Sequence, residues 1–294
     1  MYNKFYNFKS TPFNLLPDSE FFFPSPKHEE ALSRLFVAID ERNGFAVVTG
    51  EIGSGKTTVC RALLKRLDST TKVALVLNTH LGKKELLTTI LEDLGIEYKS
   101  TSKTHLMSAL NRYLIEQLSK NNNVVLIVDE AQNLTPSVLE EIRMLSNLET
   151  EKEKLIQIIL IGQPELREKL STPKLEQFCQ RIVMYYHLEA LTLPETEEYI
   201  NHRLKRAGYQ GTEIFSKEVI ATIYDYSNGI PRLINLACYN ALIGGFLMDT
   251  KEITPKIVEE AIEELLYSKS YFKVKKADNK ILQANDDVLK ILSI

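Results

Sequence analysis

Between Lys27 and Leu188, short unbroken apolar runs alternate with stretches whose apolar residues recur every three or four positions. The runs are Phe45–Thr49 (FAVVT), Lys72–Asn78 (KVALVLN), Val124–Val128 (VVLIV), Gln157–Ile161 (QIILI) and, less uniformly, Ile182–Leu188. The periodic stretches fall near 28–42, 56–68, 83–94, 103–120 and 135–148. In the first of these, Ala31, Leu35 and Ala38/Ile39 share one face. Thr135-Pro136 opens the last with an N-cap residue and a first-turn proline. Strands that are apolar throughout bury both faces, so the alternation predicts an α/β fold with a parallel five-stranded sheet sandwiched by helices. Such sheets take their ligands beyond the carboxyl ends of the strands. After Leu188 the strand pattern stops. Residues 194–207, 216–227, 231–248 and 255–267 read as helices, broken by Gly208, Gly211, Gly229 and Thr254-Pro255. The predicted organisation is an aromatic segment (1–26) packing on the core, an α/β core (27–188), an all-helical domain (189–268) and a basic tail or helix (269–294).

Residues 1–26 hold eight of the 25 aromatic residues, a composition foreign to disordered tails. The segment is expected to lie extended against a folded surface. With 294 residues, 44% hydrophobic and 26% charged, the chain suits about two ordinary globular domains. A net charge of −3 provides no whole-molecule basic field for nucleic acid. The most basic tract, Lys269–Lys280, stands apart from that balance. Three widely spaced cysteines without a CxxC pair suggest neither a zinc site nor a disulfide framework, which fits a reducing compartment. No signal-peptide pattern opens the chain. The longest apolar run, Ala241–Met248, is far shorter than the ~18 residues a membrane helix needs, so no integral membrane segment and a cytoplasmic location are expected.

Gly50-Glu51-Ile52-Gly53-Ser54-Gly55-Lys56-Thr57 fits G-x-x-x-x-G-K-[ST] in full, between a predicted strand and a predicted helix. Its glycines let backbone N–H groups turn toward phosphate oxygens, and the following helix presents its positive end to an anion. Lys56 is the residue to reach the β- and γ-phosphates of ATP, and the Thr57 hydroxyl is the one to ligate Mg²⁺. The run Val124–Val128 ends in Asp129-Glu130. Asp129 is placed to hold Mg²⁺, directly or through water, and Glu130 is the candidate general base for an attacking water. An acidic pair at a strand end can also merely cap a helix, but a complete phosphate loop favours the catalytic reading. A base beside the metal ligand favours hydrolysis over transfer to a second substrate. Gln163 follows the fourth run. It overlooks the γ-phosphate if that strand lies beside the first; otherwise it is a turn residue. Arg181 and Arg232 are candidates to stabilise charge on the transferred phosphoryl group, Arg232 within the chain and Arg181 on a neighbour's nucleotide. Spacing alone leaves surface ion pairs open for both.

Taken together, these residues resemble the AAA+ ATPases of the ExeA type, the ATPase domain of general secretion pathway protein A, to which bacterial transposition ATPases are related. The resemblance spans about residues 1–267. Its marks are Pro12-Phe13, Phe23-Pro24-Ser25-Pro26-Lys27-His28, the loop Gly50–Thr58 (Thr58 included), Asp129-Glu130-Ala131-Gln132-Asn133-Leu134, Leu145–Thr150, Gly162–Leu166, Gln180-Arg181-Ile182 and Gly229–Asn235. It implies a P-loop NTPase core of AAA+ type followed by a small helical lid. It further implies Gln163 as first sensor, Arg232 as second sensor and Arg181 as a finger at a subunit interface. Adenine would lie between Pro26–His28 and Ile230-Pro231. Two cellular readings follow. One is a homo-oligomeric ring or filament that uses ATP on a protein partner of secretion or envelope assembly. The other is an ATP-dependent DNA-bound regulator of transposition type. Full-length secretion proteins of this kind continue into a membrane span and a peptidoglycan-binding region, and neither pattern lies within these residues.

Overall fold

The computed structural model describes residues 1–16, 18–42, 44–151 and 153–267. From the amino end the chain runs α1 (Tyr2–Phe5), α2 (Pro26–Asp40), β1 (Phe45–Gly50), α3 (Lys56–Arg66), β2 (Thr71–Val76), α4 (Lys83–Asp93), α5 (Lys103–Ser119) and β3 (Asn123–Val128). It continues through α6 (Pro136–Leu145), β4 (Gln157–Gly162), α7 (Pro164–Leu170), α8 (Glu176–Cys179), β5 (Ile182–Leu188), α9 (Leu193–Arg206), α10 (Lys217–Ser227) and α11 (Pro231–Leu247). Residues 255–267 are helical as well. Two compact units result: Leu16–Leu191, and Met1–Leu15 together with the residues from Thr192 on.

In the first unit the five strands form one sheet in the order β2-β3-β4-β1-β5, every pair parallel. The three central strands are buried on both sides. Ala46, Val48, Val125, Ile127, Ile159 and Ile161 pack with Leu32 and Leu35 of α2 and Val59 and Leu63 of α3. Their neighbours in sequence, among them Val47, Leu126, Val128 and Leu160, meet Leu87 and Ile90 of α4, Leu110 of α5 and Ile142 of α6. This two-sided burial is why those strands read as unbroken apolar runs. The edge strand β5 alternates instead, with Val183, Tyr185 and His187 exposed. The sheet and its two helical layers match the expectation. The boundaries move: α2 begins at Pro26, with Ser25 as N-cap, and α6 ends at Leu145. Residues 164–181, for which the pattern predicts no element, contain α7 and α8, of seven and four residues. Both are too short to show a period.

In the second unit α9, α10, α11 and the helical residues 255–267 are joined by the amino-terminal segment. Tyr6 Oη donates to the carbonyl of Leu242 at 3.0 Å. Phe5 meets Phe246 edge-on at 5.5 Å, and Phe13 meets Phe215 at 6.0 Å. Arg203 Nε donates to the carbonyl of Pro12 at 2.5 Å. The aromatic segment expected over 1–26 on the α/β core is thus divided. Residues up to Leu15 belong with the helices, whereas Phe21 and Phe22 belong with the sheet unit, Phe22 packing beside α2 and α3. The physical cause is that burial of aromatic rings specifies an apolar surface, not which one. The expected basic stretch 269–294 lies outside the described residues.

Candidate nucleotide-binding site

β1 ends at Gly50, and the loop that follows turns within five residues into α3, which starts at Lys56. The N–H of Ser54 donates to the carbonyl of Glu51 at 3.1 Å, closing the turn. Gly55 has φ of +101°, in the left-handed region, and a Cβ there would stand 2.7 Å from His28 Nε2. Only glycine fits. The first turn of α3 carries no acidic side chain, so its positive end is left for an anion. Lys56 is buried, and its Nζ donates to the carbonyls of Gly50 (2.8 Å) and Glu51 (2.9 Å). Burial pulls its pKa below the ordinary lysine value, while the carboxylates of Glu130 and Asp129 pull the other way. Ser54 Oγ is buried without a hydrogen-bond partner among the described residues. Such an orphan polar atom suits a phosphate oxygen or the waters around it. Ile52 is exposed at the tip of the loop, and Thr58 lies in the first turn of α3.

Side chains alternate along β3, which carries Asp129 to the α3 side of the sheet, the side of Val125 and Ile127. There Thr57 Oγ1 donates to Asp129 Oδ2 at 2.9 Å, and the N–H of Glu130 donates to Asp129 Oδ1 at 2.9 Å. Burial raises the pKa of Asp129, and these two hydrogen bonds partly offset it. A hydroxyl and a desolvated carboxylate in contact are the hard oxygen donors that Mg²⁺ takes, so the residues fit that ion. Glu130 itself has φ of +54° and ψ of +36°, a left-handed conformation rare for glutamate. Its Oε2 accepts from Gln132 Nε2 at 2.5 Å and from Gln163 Nε2 at 3.1 Å. β4 does pair with β1, Gly162 opposite Thr49, so Gln163 stands level with Gly50.

The loop Gly50–Thr57, Asp129, Glu130 and Gln163 therefore converge at the carboxyl ends of β1, β3 and β4. His28, expected near adenine, is engaged at both ring nitrogens. Nε2 donates to the carbonyl of Ser54 (3.2 Å), and Nδ1 accepts from the hydroxyl of Ser25 (2.6 Å). A carbonyl can only accept, which sets this tautomer. Arg181 lies at the opposite end of the sheet, its Nη1 donating to Ser146 Oγ at 2.8 Å. Arg232 is exposed in the first turn of α11 in the helical unit, with Pro231 before it and Ile230 as N-cap. A cation there opposes the helix dipole, an arrangement an arriving anion would relieve. Sequence reasoning missed Gln132, although its position two residues after Glu130 was in view.

Residues 39–170 match the family model described as AAA domain. Over 254 residues the chain is 40% identical to General secretion pathway protein A of Aeromonas hydrophila, covering 86% of this chain and 46% of that protein. The chain thus spans less than half the length of that relative. Among solved structures it is similar to Cdc6p from Pyrobaculum aerophilum, with a TM-score of 0.65 and 20% identity over 84% of this chain and 71% of that one. Aeropyrum pernix ORC1, solved in complex with DNA, gives 0.63 and 17% over 87% and 69%. The Thermotoga maritima RuvB Holliday junction branch migration motor gives 0.56 and 17% over 83% and 70%. At these identities the likeness is one of fold, and the fold is that of the AAA+ P-loop NTPases. Among the described residues no helix is long and apolar enough to cross a membrane.

Proposed function

Because the chain carries an AAA+ ATPase domain of the general secretion pathway protein A type, we propose that it hydrolyses ATP to assemble or remodel a protein complex of secretion or envelope assembly. The observation that carries the reading is the 2.9 Å contact between Thr57 and Asp129, which joins the phosphate loop to the acidic strand end with Glu130 beside it. The triphosphate lies along the loop, with Lys56 moving from the carbonyls of Gly50 and Glu51 to the β- and γ-phosphates. Thr57 and Asp129 would hold Mg²⁺, which would supply positive charge against the developing charge of the phosphoryl group. A water oxygen attacks Pγ while Glu130 accepts its proton. The bond from Pγ to the bridging oxygen breaks, and the electron pair leaves with ADP. Gln163 orients that water, and Arg232 is our candidate to sense the γ-phosphate. Subunits associate as a ring or filament in which Arg181 serves a neighbour. Pro26–His28, Ile230 and Pro231 remain our candidates for adenine.

Glu130→Gln tests this directly. MgATP binding should persist while turnover falls about 10²–10⁴-fold. Near-normal turnover would remove Glu130 from the base role. The Lys269–Lys280 tract favours a second reading, an ATP-dependent DNA-bound regulator. Retention on DNA with a non-hydrolysable ATP analogue, weakening steeply with salt, would support it. No retention at low salt would end it.

A further inference from the structure

We infer that Gln132 is the positioning residue that aims Glu130, acting as a two-sided amide clamp between the base and the strand end that carries Gln163. The inference rests on the hydrolytic reading above. The Gln132 amide donates through Nε2 to Glu130 Oε2 (2.5 Å) and accepts through Oε1 from the N–H of Gln163 (3.0 Å). Gln163 Nε2 returns to the same Glu130 Oε2 at 3.1 Å, which closes a ring of three hydrogen bonds across β3 and β4. One carboxylate oxygen is therefore doubly held. Among the described residues nothing donates to the other, Oε1, and that is the atom left to accept a proton from water.

The clamp is itself anchored. Lys169 Nζ donates to the carbonyls of Gln132 and Leu134, pinning the backbone of the short helical turn over 131–133. Gly162 leaves room for the amide: a Cβ there would lie 3.0 Å from Gln132 Oε1 and 2.8 Å from Leu166 Cδ2. The left-handed backbone of Glu130 gives the carboxylate no rotational support from a regular element, so its aim depends on these two amides. Leucine or methionine at 132 would fill the space, but neither could do both jobs. Glutamine alone among the common side chains of this length offers a donor to a carboxylate and an acceptor to a backbone N–H at once.

The test uses the full chain, steady-state turnover with MgATP, and the melting shift with MgADP. Gln132→Met should lower kcat about 10²-fold, the scale of a 1 Å misplacement, with the KM for ATP and the MgADP melting shift kept. Gln132→Glu keeps an acceptor toward Gln163 and loses the donor to Glu130; it should fall as far, and it carries the test if the methionine variant does not fold. Because Gln132 acts through Glu130, Gln132→Met in a Glu130→Gln background should lower turnover no further. The inference is overturned if either Gln132 variant keeps near-normal kcat, if the two losses multiply in the double variant, or if the MgADP shift disappears with kcat. Unchanged turnover of Glu130→Gln alone would instead remove Glu130 from the base role on which the inference rests.

Discussion

Arg181 cannot serve the phosphate loop of its own subunit. In the β1–β5 register Ile182 pairs with Phe45, and Leu188 pairs with Gly50. Five residue steps from Phe45 to Gly50, at about 3.3 Å each, separate the level of Ile182, which Arg181 precedes, from that of the loop by about 17 Å. This exceeds the length of an extended arginine side chain. The hydrogen bond to Ser146 Oγ holds the guanidinium at the far end. If Arg181 stabilises phosphoryl charge, it does so across a head-to-tail contact between copies. Its loss should then cost about 10³–10⁵ in turnover with nucleotide binding intact. Two dead variants should also rescue each other. In an equimolar mixture of Arg181→Ala and Glu130→Gln, a random heterologous assembly brings an intact Glu130 against an intact Arg181 at about a quarter of the sites, so about a quarter of the wild-type rate returns. The double variant mixed equally with wild type should leave about a quarter of the sites intact, half of what simple dilution would leave. Phosphate release across protein concentration is the assay. A silent mixture whose components demonstrably co-assemble, or an Arg181→Ala chain that turns over normally alone, refutes the interface role.

Gly55→Ala places a methyl group against His28 in a left-handed backbone, so urea unfolding should show a loss of about 1–3 kcal/mol. The loss should shrink when His28 is also alanine. Burial raises the pKa of Asp129 and lowers that of Lys56, so near neutral pH both charged forms weigh against the ligand-free fold. Asp129→Asn should therefore stabilise the ligand-free protein at pH 7–8 by about 0.5–2 kcal/mol, as functional-site substitutions often do. A raised carboxyl pKa adds stability below the unfolded value and loses it as pH rises through the folded value. The gain from Asp129→Asn should accordingly vanish on acidification through the unfolded Asp range, and a gain that persisted there would contradict the burial argument. The Cys60 thiol is pushed up to about 12 by burial, so its alkylation in the native protein should run about 10³-fold slower than that of a free thiol. Mass spectrometry after timed iodoacetamide treatment reads this.

How far the sequence discloses the molecule depends on the range of the interaction. The central strands announce themselves because both faces of Val124–Val128 and Gln157–Ile161 are buried. The phosphate loop and Asp129-Glu130 are legible because each is a contiguous motif set at a strand end. Gln163 is legible only conditionally, since its value depends on β4 lying beside β1, a pairing between residues more than a hundred positions apart. Gln132 lies inside a quoted motif yet carries no chemical signal of its own. Its role exists only once β3 and β4 bring Gly162 and Glu130 together. His28 is placed near adenine by the resemblance alone, while its ring's contact with the carbonyl of Ser54 arises from packing that no local pattern encodes. The aromatic segment is the clearest case: its burial follows from composition. Its allegiance follows from contacts such as Tyr6 to Leu242, which no local pattern encodes.

Polar groups of the site are paired with one another, and on the proposed reading this bears on how nucleotide energy would be used. Lys56 occupies the carbonyls of Gly50 and Glu51, and Thr57 occupies Asp129. An incoming phosphate must displace the first pair, and the metal must displace the second. Each exchange gives up hydrogen bonds of about 1 kcal/mol and in return relieves a buried charge that the fold holds at a cost. On the proposed reading, ATP offers Lys56 a γ-phosphate that ADP lacks. On the proposed reading, the difference between the two nucleotides would fall on Lys56, Glu130 and Gln163. These stand at the ends of three adjacent strands, tied by the Gln132 amide and the Thr57 hydroxyl. A site built this way would discriminate the two nucleotides by rearranging side chains on a rigid sheet. Nucleotide state should then alter protection of the loop Gly50–Thr57 and the turn 130–133 in hydrogen exchange while the amides of β3 and β4 stay unchanged. Exchange that altered instead throughout the sheet would mean that the strands themselves move, and the fixed-scaffold account would fail.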